Sequence, residues 1–428
     1  MNAPVPAAVT DRSSPFSNRD FRLLFAGSSI SAIGDQFTLV ALPWLVLELT
    51  GDPAQLGIVL AVMAVPRAAF MLVGGAVVDR LSPRRVLLSA RIANAVLTGL
   101  LAALVLRGAI NMPALYVLAI GVGLSTAFAY PAGGSLLPQL VPPRQLQAAN
   151  SSLVGMRQLS LLVGPALAGL LIRAGSGAAG GARGTGLAFA VDALSFLFSV
   201  ASLFMIRIAS DRQRQTPAAG VLANIREGLH AHWRDPQLRA FISYMALVSV
   251  LVGGPLQVCL PLLARTRLSE GAAGYGILMT SYGAGMLLGS LTSVPITRLA
   301  RGQLGLMVLG VDALNGLAFA ALGAIHSLPV AGGLLLLVGT FAGTVQIAVM
   351  TWLQHRVPQA MLGRTMSLVM FTFMGLAPLA AAVAGGLLKV IPLAHLLAIA
   401  GLSLTAVALV CLTRPSLRAI ALRAPSAG

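Results

Sequence analysis

The sequence is poor in charged residues, above all in lysine and in acids. Only 10% of its 428 residues are charged and 57% are hydrophobic, whereas about a quarter of an ordinary soluble domain is charged. The chain has 12 acidic residues and a single lysine, Lys389. A soluble protein cannot hide so large an apolar fraction, because most of its surface needs polar cover. These shortages exclude a water-soluble enzyme and a site built from many carboxylates.

The motifs of several enzyme classes are also missing. A phosphate-binding loop needs Gly-Lys followed by Ser or Thr, but Lys389 stands between Leu388 and Val390. The sequence has no His-Glu pair for a zinc-protease helix and no Gly-x-Ser-x-Gly elbow. The two cysteines, Cys259 and Cys411, lie in apolar runs and match no disulfide framework or metal spacing. We therefore expect no enzymatic activity, no metal and no cofactor.

The sequence is rich instead in long apolar runs. A helix of about 20 apolar residues crosses a hydrocarbon core of ~30 Å, and only helices or closed barrels satisfy their backbone there. On this measure the sequence predicts an all-α polytopic membrane protein with twelve transmembrane helices. An eleven-span count follows if 366–413 divides differently at Lys389–Pro392. The twelve spans are 22–49, 54–78, 86–106, 113–138, 151–173, 187–207, 238–263, 272–297, 304–325, 329–353, 366–389 and 393–413.

The net charge of +17 is explained by membrane topology. If the N-terminus is cytoplasmic, 20 basic residues fall in or beside cytoplasmic segments, six in outer loops and three inside spans. This is the positive-inside pattern for twelve spans with both termini cytoplasmic. No block of five or more basic residues occurs, so we expect no nucleic acid partner.

The two halves of the chain repeat each other. Leu42-Pro43 recurs as Leu260-Pro261, and Gly57-Ile58 recurs as Gly276-Ile277, at almost the same offset. Such repeats are typical of secondary transporters, in which one half rocks against the other. The sequence predicts two six-helix halves, 22–207 and 238–413. It also predicts a cytoplasmic linker with an amphipathic helix at 208–237, a disordered tail at 1–21 and a cytoplasmic tail at 414–428.

Three motifs carry a family resemblance. The segment Gly-Ala-Val-Val-Asp-Arg-Leu-Ser-Pro-Arg-Arg at 75–85 resembles the signature loop of the major facilitator superfamily, from which Ser82 and Pro83 depart. The segment Gly-Pro-Ala-Leu-Ala-Gly at 164–169 resembles the antiporter motif of its exporters. Residues 31–36 and 138–150 are similar to the macrolide-efflux and siderophore-exporter branch. The resemblance implies the major facilitator fold and transport by export.

The resemblance also assigns roles to the first two motifs. It implies a conformational latch formed by Gly75, Asp79, Arg80, Arg84 and Arg85, in which charges join in one state and separate in the other. Plain positive-inside anchoring is the alternative. A helix-bend motif would consist of Gly164, Pro165 and Gly169, with ordinary close packing as its alternative.

Charged residues inside spans are functional candidates, because each costs several kcal/mol in the membrane. Asp35 and Arg67 both lie ~17 Å deep at 1.5 Å per residue. We expect them to form a proton or substrate site, or else a static ion pair. Asp192 is expected to be an interfacial acid near the outer end of span 6, and Arg157 to lie near the inner end of span 5. Asp312 lies deeper, in the supporting span 9.

Polar residues also recur on helical faces. Ser28, Ser31 and Thr38 share a face of span 1 with Asp35. In the superfamily, spans 1, 4, 7 and 10 line the central cavity. The substrate-cavity candidates are Ser28, Ser31, Thr38, Ser125, Thr126, Tyr130, Tyr244, Gln257, Thr340, Thr344 and Thr351.

The sequence therefore predicts a secondary active transporter in a bacterial inner membrane, working by alternating access. Its expected partners are an amphiphilic small-molecule cargo (a drug, macrolide or siderophore), protons as the coupling ion, and the bilayer, with the protein as a monomer. An uptake permease of the same fold is one alternative. A non-transporting membrane receptor or assembly factor is the other.

Overall fold

The computed structural model describes residues 14–176, 182–207, 235–299, 303–357 and 375–413. These residues form twelve helices, which confirms the predicted fold class. The break between the last two helices falls at Lys389–Pro392, so the eleven-span alternative is wrong. The helices are α1 Arg19–Thr50, α2 Pro53–Arg80, α3 Pro83–Leu106, α4 Met112–Leu140, α5 Leu146–Ser176, α6 Arg183–Met205, α7 Pro236–Arg267, α8 Gly271–Leu299, α9 Leu304–Leu322, α10 Leu328–Arg356, α11 Ala377–Leu387 and α12 Leu393–Leu412.

Ten of these helices are long and apolar enough to cross a membrane. The other two are α8 and α11, of which α11 is described only over its C-terminal part. A π-helical turn at Ser249–Gly253 divides α7. Pro255 follows this turn, and its missing N–H leaves the helical ladder incomplete there. The predicted linker at 208–237 lies outside the described residues except for 235–237, and the tail at 414–428 lies wholly outside them.

Several helices begin earlier than the hydropathy predicts, because polar residues cap and extend them beyond the apolar run. Asn18 accepts backbone hydrogen bonds from Asp20 and Phe21, so α1 starts at Arg19. Phe21 is fully buried. The described end of the predicted tail at 1–21 is therefore part of the folded N-terminal half.

The same effect changes the depth of two charged residues. Helix α5 begins at Leu146 and α6 at Arg183, ahead of the predicted starts at 151 and 187. Arg157 therefore lies about 16 Å along α5, and Asp192 about 14 Å along α6. Arg157 is about a third and Asp192 about two fifths of the way along its helix, so both lie deeper in their helices than the sequence predicts.

The molecule has two sides, which we name by the chain. The terminal side holds the helix ends near residues 19, 80, 140, 207, 236 and 412. The distal side holds the loops near 51, 108, 269, 325 and 390. Buried apolar residues form one large cluster on the distal side, to which both halves contribute. On the terminal side they form two separate clusters, one in each half. The halves therefore share a core at the distal side and have separate cores at the terminal side.

Two helix pairs join the halves at the distal side, α2 with α11 and α5 with α8. Small residues bring their backbones together. A Cβ at Gly385 would lie 2.3 Å from the carbonyl oxygen of Pro53, and one at Gly276 would lie 2.4 Å from that of Pro165. The two pairs occupy equivalent places in the repeat, because α5 of the first half corresponds to α11 of the second, and α2 corresponds to α8.

Candidate functional site

Asp35 is exposed in the middle of α1, although the neighbouring residues Gly34 and Gln36 are buried. Helices α5 and α6 pack against α1 in the same half. The carboxylate interacts electrostatically with Arg91 of α3 and Arg157 of α5. Because helices of its own half surround this part of α1, we assign the exposed surface to the space between the halves.

Arg67 is not the ion-pair partner of Asp35. No pair within 4.0 Å joins them among the described residues, and Arg67 lies near Tyr130 of α4 instead. The guanidinium of Arg157 lies over the same ring, 5.3 Å from its centroid. Tyr130 is 38% exposed. An aromatic ring, two guanidinium groups and one carboxylate thus line the wall of the N-terminal half.

Arg91 links α3 to α1 and α6. Its Nη1 donates to Ser31 Oγ at 2.6 Å, and its guanidinium lies 5.4 Å from the centroid of the Phe196 ring. Its Nε is buried and has no hydrogen-bond partner. Arg91 is one of the three basic residues inside the predicted spans, and the cost of its charge in the membrane already marked it as a functional candidate.

Asp192 is buried, with only 1% of its surface exposed. Thr38 Oγ1 donates to its Oδ2, and Ser195 Oγ donates to its backbone carbonyl oxygen at 2.7 Å and lies 3.3 Å from its Oδ1. It interacts electrostatically with Asp35 and Arg91. The predicted interfacial acid is therefore part of a buried polar cluster behind Asp35.

The polar cavity candidates divide into two groups. Ser31, Ser125, Tyr244 and Thr344 are buried and make hydrogen bonds within their own half, so they do not face the space between the halves in this structure. The others are half-buried or exposed, and four of them bond to their own helix: Thr126, Gln257, Thr340 and Thr351. Ser28 is half-buried, and Thr38 bonds to Asp192.

Asp312 also receives a hydrogen bond from a predicted cavity residue. Tyr244 of α7 donates to its Oδ2 at 2.8 Å, and both side chains are buried. Among the described residues, no group of three or more His, Cys, Asp or Glu side chains is arranged to hold a metal ion.

The helix-bend motif lies where α5 contacts two other helices. A Cβ at Gly164 would be 2.5 Å from the Gln36 side chain of α1, and one at Gly169 would be 2.6 Å from the carbonyl oxygen of Ala272 on α8. The backbone N–H of Ala166 donates to Thr280 Oγ1 of α8 at 3.0 Å. The motif therefore lies in the contact between the two halves, which both its gating and its packing interpretation require.

This arrangement can be compared with known proteins. Residues 24–382 match the family model described as Major Facilitator Superfamily. The chain belongs to the Major Facilitator Superfamily. With its membrane-spanning helices, this membership makes the chain a transporter and not an enzyme.

Two relatives of this superfamily member are named as efflux proteins. Multidrug efflux pump Tap of Mycolicibacterium fortuitum is 29% identical over 379 residues, which cover 85% of this chain and 88% of that protein. Macrolide efflux protein A of Streptococcus pyogenes is 24% identical over 276 residues, which cover 63% and 65%. The crystal structure of the nucleoside transporter NupG superposes with a TM-score of 0.72 at 13% identity, over 92% of this chain and 98% of that one. This last likeness concerns the fold.

The superfamily's signature loop connects α2 and α3 on the terminal side. Arg84 donates from Nε to the carbonyl oxygen of Leu203 and from Nη2 to that of Phe204, both at 3.0 Å. It thus satisfies free carbonyls at the C-terminal end of α6 in the same half. Gly75 lies within α2 and Arg85 within α3. The side chains of Asp79 and Arg80 are outside the described part of the structure.

On the distal side, an ion pair joins the halves of this transporter. Lys389 Nζ lies 3.0 Å from Asp52 Oδ2, so the only lysine of the chain bridges the end of α11 to the N-cap of α2. Nearby, Trp44 and Thr185 donate to Glu48 at 2.9 and 3.0 Å, and Arg265 of the other half interacts with it electrostatically. The sequence gave no sign of this pair, because Asp52 and Lys389 are far apart in the chain.

Replacing Lys389 with Gln should open the distal side slightly. Exposed pairs contribute ~0.2–1 kcal/mol, so the ratio of open to closed molecules should rise about 1.4- to 5-fold. Spin labels at Arg107 and His326, exposed in opposite halves, measure this ratio by pulsed paramagnetic resonance. Arg173→Gln, which removes an exposed charge without a described ion pair, is the matched control. An unchanged distance distribution in Lys389→Gln would show that the pair does not contribute to closure.

The same pair predicts how closure depends on pH. Burial raises the pKa of Asp52, but hydrogen bonds from Lys389 and the Ala54 backbone, with the Lys389 charge, outweigh it and hold the pKa below its usual value. Because the pKa of Asp52 is lowered, the ion pair stabilises the closed distal side fully at pH values above the usual carboxyl pKa of about 4. This stabilisation is lost only as the pH falls through the lowered pKa. The label distances should therefore agree at pH 8 and pH 5. Opening between these values would indicate another titrating group.

Proposed function

We propose that the chain is a proton-coupled efflux transporter for an amphiphilic small molecule such as a drug, a macrolide or a siderophore. The observation that carries the proposal is the exposed carboxylate of Asp35 in the space between the halves, between Arg91 and Arg157. Two relatives named for efflux support the direction of transport. We further propose that the protein acts as a monomer in a bacterial inner membrane.

The orientation follows from the positive-inside rule. With 20 basic residues against six, the terminal side, both chain ends and the linker at 208–237 are assigned to the cytoplasm. In this orientation the separate cores of the two halves face the cytoplasm and the shared core faces outward. Cargo from the cytoplasm then reaches Asp35 while the distal contacts close the outer side.

The orientation predicts that a cysteine placed at Thr216, with the native cysteines replaced, is protected in intact cells from a membrane-impermeant thiol reagent. The reason is that Thr216 lies in the linker assigned to the cytoplasm. A cysteine at His326, in a distal loop, is the matched accessible control. Strong labelling at Thr216 from outside would contradict the twelve-span orientation.

Asp35 supplies the proton chemistry of the proposal. As a carboxylate it neutralises part of the charge of Arg91 and Arg157, and when protonated it leaves them uncompensated. A polar group of the cargo competes with the proton for this carboxylate, so the transporter carries one or the other. Rocking of the halves about the distal contacts exposes the same carboxylate to each side of the membrane in turn.

The proposal is tested in inside-out vesicles that contain the purified protein. Acidifying the vesicle interior should drive uptake of the cargo, which in this geometry is efflux. A panel of a macrolide, a cationic dye and a hydroxamate siderophore covers the proposed class. An uptake permease would instead move the compound out of the same vesicles. A receptor or assembly factor would show no gradient-dependent flux for any compound in the panel.

We also propose that the signature loop is a latch rather than an anchor. Asp79→Asn should then lower the transport rate several-fold at normal expression, because it removes the one acid from a loop with three arginines. Anchoring depends on the arginines alone, so it predicts no loss. Ser82→Ala in the same loop is the control for local disturbance. Wild-type transport by Asp79→Asn would leave anchoring as the role.

A further inference from the structure

Two carboxyl groups, and not one, lie beside Arg91 in the N-terminal half. Asp35 of α1 is exposed, whereas Asp192 of α6 is 1% exposed. The two acids interact electrostatically with each other, and each interacts with Arg91. This pairs a carboxyl group that can exchange protons with water and one that is sealed inside the bundle.

The surroundings of Asp192 suit a neutral carboxyl group. From α1, the Thr38 hydroxyl contacts Oδ2, and from α6 itself the Ser195 hydroxyl contacts Oδ1. The charged groups that face it are Asp35 from α1 and Arg91 from α3, and neither Arg91 nor any other described cation lies within ion-pair distance of 4.0 Å. A protonated carboxyl group still accepts hydrogen bonds from these hydroxyl groups, and the protonated form avoids the cost of an unpaired buried charge.

A second observation shows that α1 is shaped to admit this acid. A Cβ at Gly34 would lie 2.7 Å from Asp192 Oδ1 and 2.0 Å from Ser195 Oγ. Any side chain at this position would displace the carboxyl group of Asp192. The residue next to Gly34 is Asp35, so the close approach of α6 to α1 places the buried acid directly behind the exposed one.

We propose that Asp192 is a second proton-carrying residue of the coupling site, which exchanges its proton with Asp35. The proposal rests on the proposed proton-coupled function. In the exchange an O–H bond of Asp192 breaks and one of Asp35 forms, so one carboxylate and one carboxylic acid are present before and after. Asp35 takes up a proton on the side where cargo leaves and passes it to Asp192, which holds it during the cargo-free return. On the other side Asp192 gives the proton back to Asp35, which releases it before cargo binds.

Infrared difference spectroscopy tests this proposal on the purified protein without cargo. A pH jump should reveal the C=O stretch of a protonated carboxyl group in the wild type, and Asp192→Asn should remove part of that band. In Asp35→Asn the titration midpoint of Asp192, which is the proton concentration at which half of its band has disappeared, should change about tenfold. The reason is that the neighbouring charge of Asp35 is absent. Asp312→Asn is the matched control, since it removes a buried acid with a hydroxyl donor from the other half.

The outcomes separate the two proposals. A wild-type spectrum in Asp192→Asn, or a midpoint that Asp35→Asn leaves unchanged, would overturn the exchange between the acids. Failure of gradient-driven flux in the vesicle assay would overturn the proposed function. The infrared spectra would then still test whether Asp35 and Asp192 exchange a proton. If Asp192→Asn does not fold, Thr38→Val keeps both acids and removes the hydroxyl group that contacts Asp192 Oδ2, so it should shift the same midpoint, whereas an unshifted midpoint would overturn the proposal.

Discussion

Asp35→Asn is expected to abolish transport driven by a proton gradient while leaving the protein folded. The variant keeps the size and hydrogen-bonding capacity of the side chain and removes its ability to take up a proton. Coupling free energies of ~1–3 kcal/mol correspond to about 5- to 150-fold, so loss of the coupling should lower the gradient-driven rate about 5- to 150-fold. Cargo exchange down its own gradient should persist, because it needs no proton.

The measurement compares cargo flux in inside-out vesicles with and without an acid interior. Asp312→Asn is the matched control and should keep the response to the gradient, since Asp312 lies in the C-terminal half and bonds to Tyr244. A static role for Asp35 predicts instead a loss of folded protein, because removal of one partner leaves buried guanidinium charge. Full gradient-driven transport by Asp35→Asn would reject the coupling role.

The depth of Asp35 was predictable, but its partners were not. An isolated acid in the middle of a long apolar run lies near the middle of the membrane, whatever the packing of the bundle. Which cation it meets depends on the rotation of each helix and on which helices touch. Arg67 lies at a similar depth to Asp35, yet it lies near Tyr130, whereas Arg91 of α3 and Arg157 of α5 interact with Asp35.

Asp192 was misplaced for a different reason. Hydropathy detects the apolar core of a helix, but α6 starts at Arg183 and includes polar residues before that core. A signal for its burial was nevertheless present: Gly27 and Gly34 of α1 match Ser195 and Ser202 of α6 in a pattern of small residues that allows close approach. Combined with an acid on the same helix, this pattern indicates a buried polar contact.

The polar residues that recur on one face of the predicted cavity helices identified the cavity lining less reliably than their spacing suggested. Ser and Thr in a helix often bond to the carbonyl one turn earlier, and Thr340 and Thr351 do so at 2.7 and 2.9 Å. A hydroxyl group satisfied in this way can face any direction without cost. Spacing therefore identifies a shared helical face, but burial decides which side of the bundle that face meets.

Gly385→Val is expected to open the distal side and reduce transport strongly. The Cβ of any side chain at this position would lie 2.3 Å from the carbonyl oxygen of Pro53 and 3.1 Å from the Cα of Ala54. These are backbone atoms of α2 in the other half, so no side chain can move aside to make room. Overpacking costs ~1–3 kcal/mol, which shifts the ratio of distal-closed to distal-open molecules about 5- to 150-fold.

The adjacent residue supplies the control for Gly385→Val. A Cβ at Gly386 would meet nothing within 4 Å, so Gly386→Val adds the same volume and the same β-branched side chain to α11 without touching α2. Labels at Arg107 and His326 should report a longer distance in Gly385→Val and the wild-type distance in Gly386→Val. Cargo flux should fall about fivefold or more in the first variant and stay near wild type in the second.

The pair of variants also tests how transport uses the distal contact. If closure of this side is an obligatory step of the cycle, flux and label distance must change together, because molecules held open there cannot return Asp35 to the terminal side. Gly276→Val makes the same test at the equivalent place in the repeat, where the Cβ would lie 2.4 Å from the carbonyl oxygen of Pro165. Normal flux in Gly385→Val with an opened distal side would mean that the α2–α11 contact is not a gate, and α5–α8 would then have to close the outer side alone.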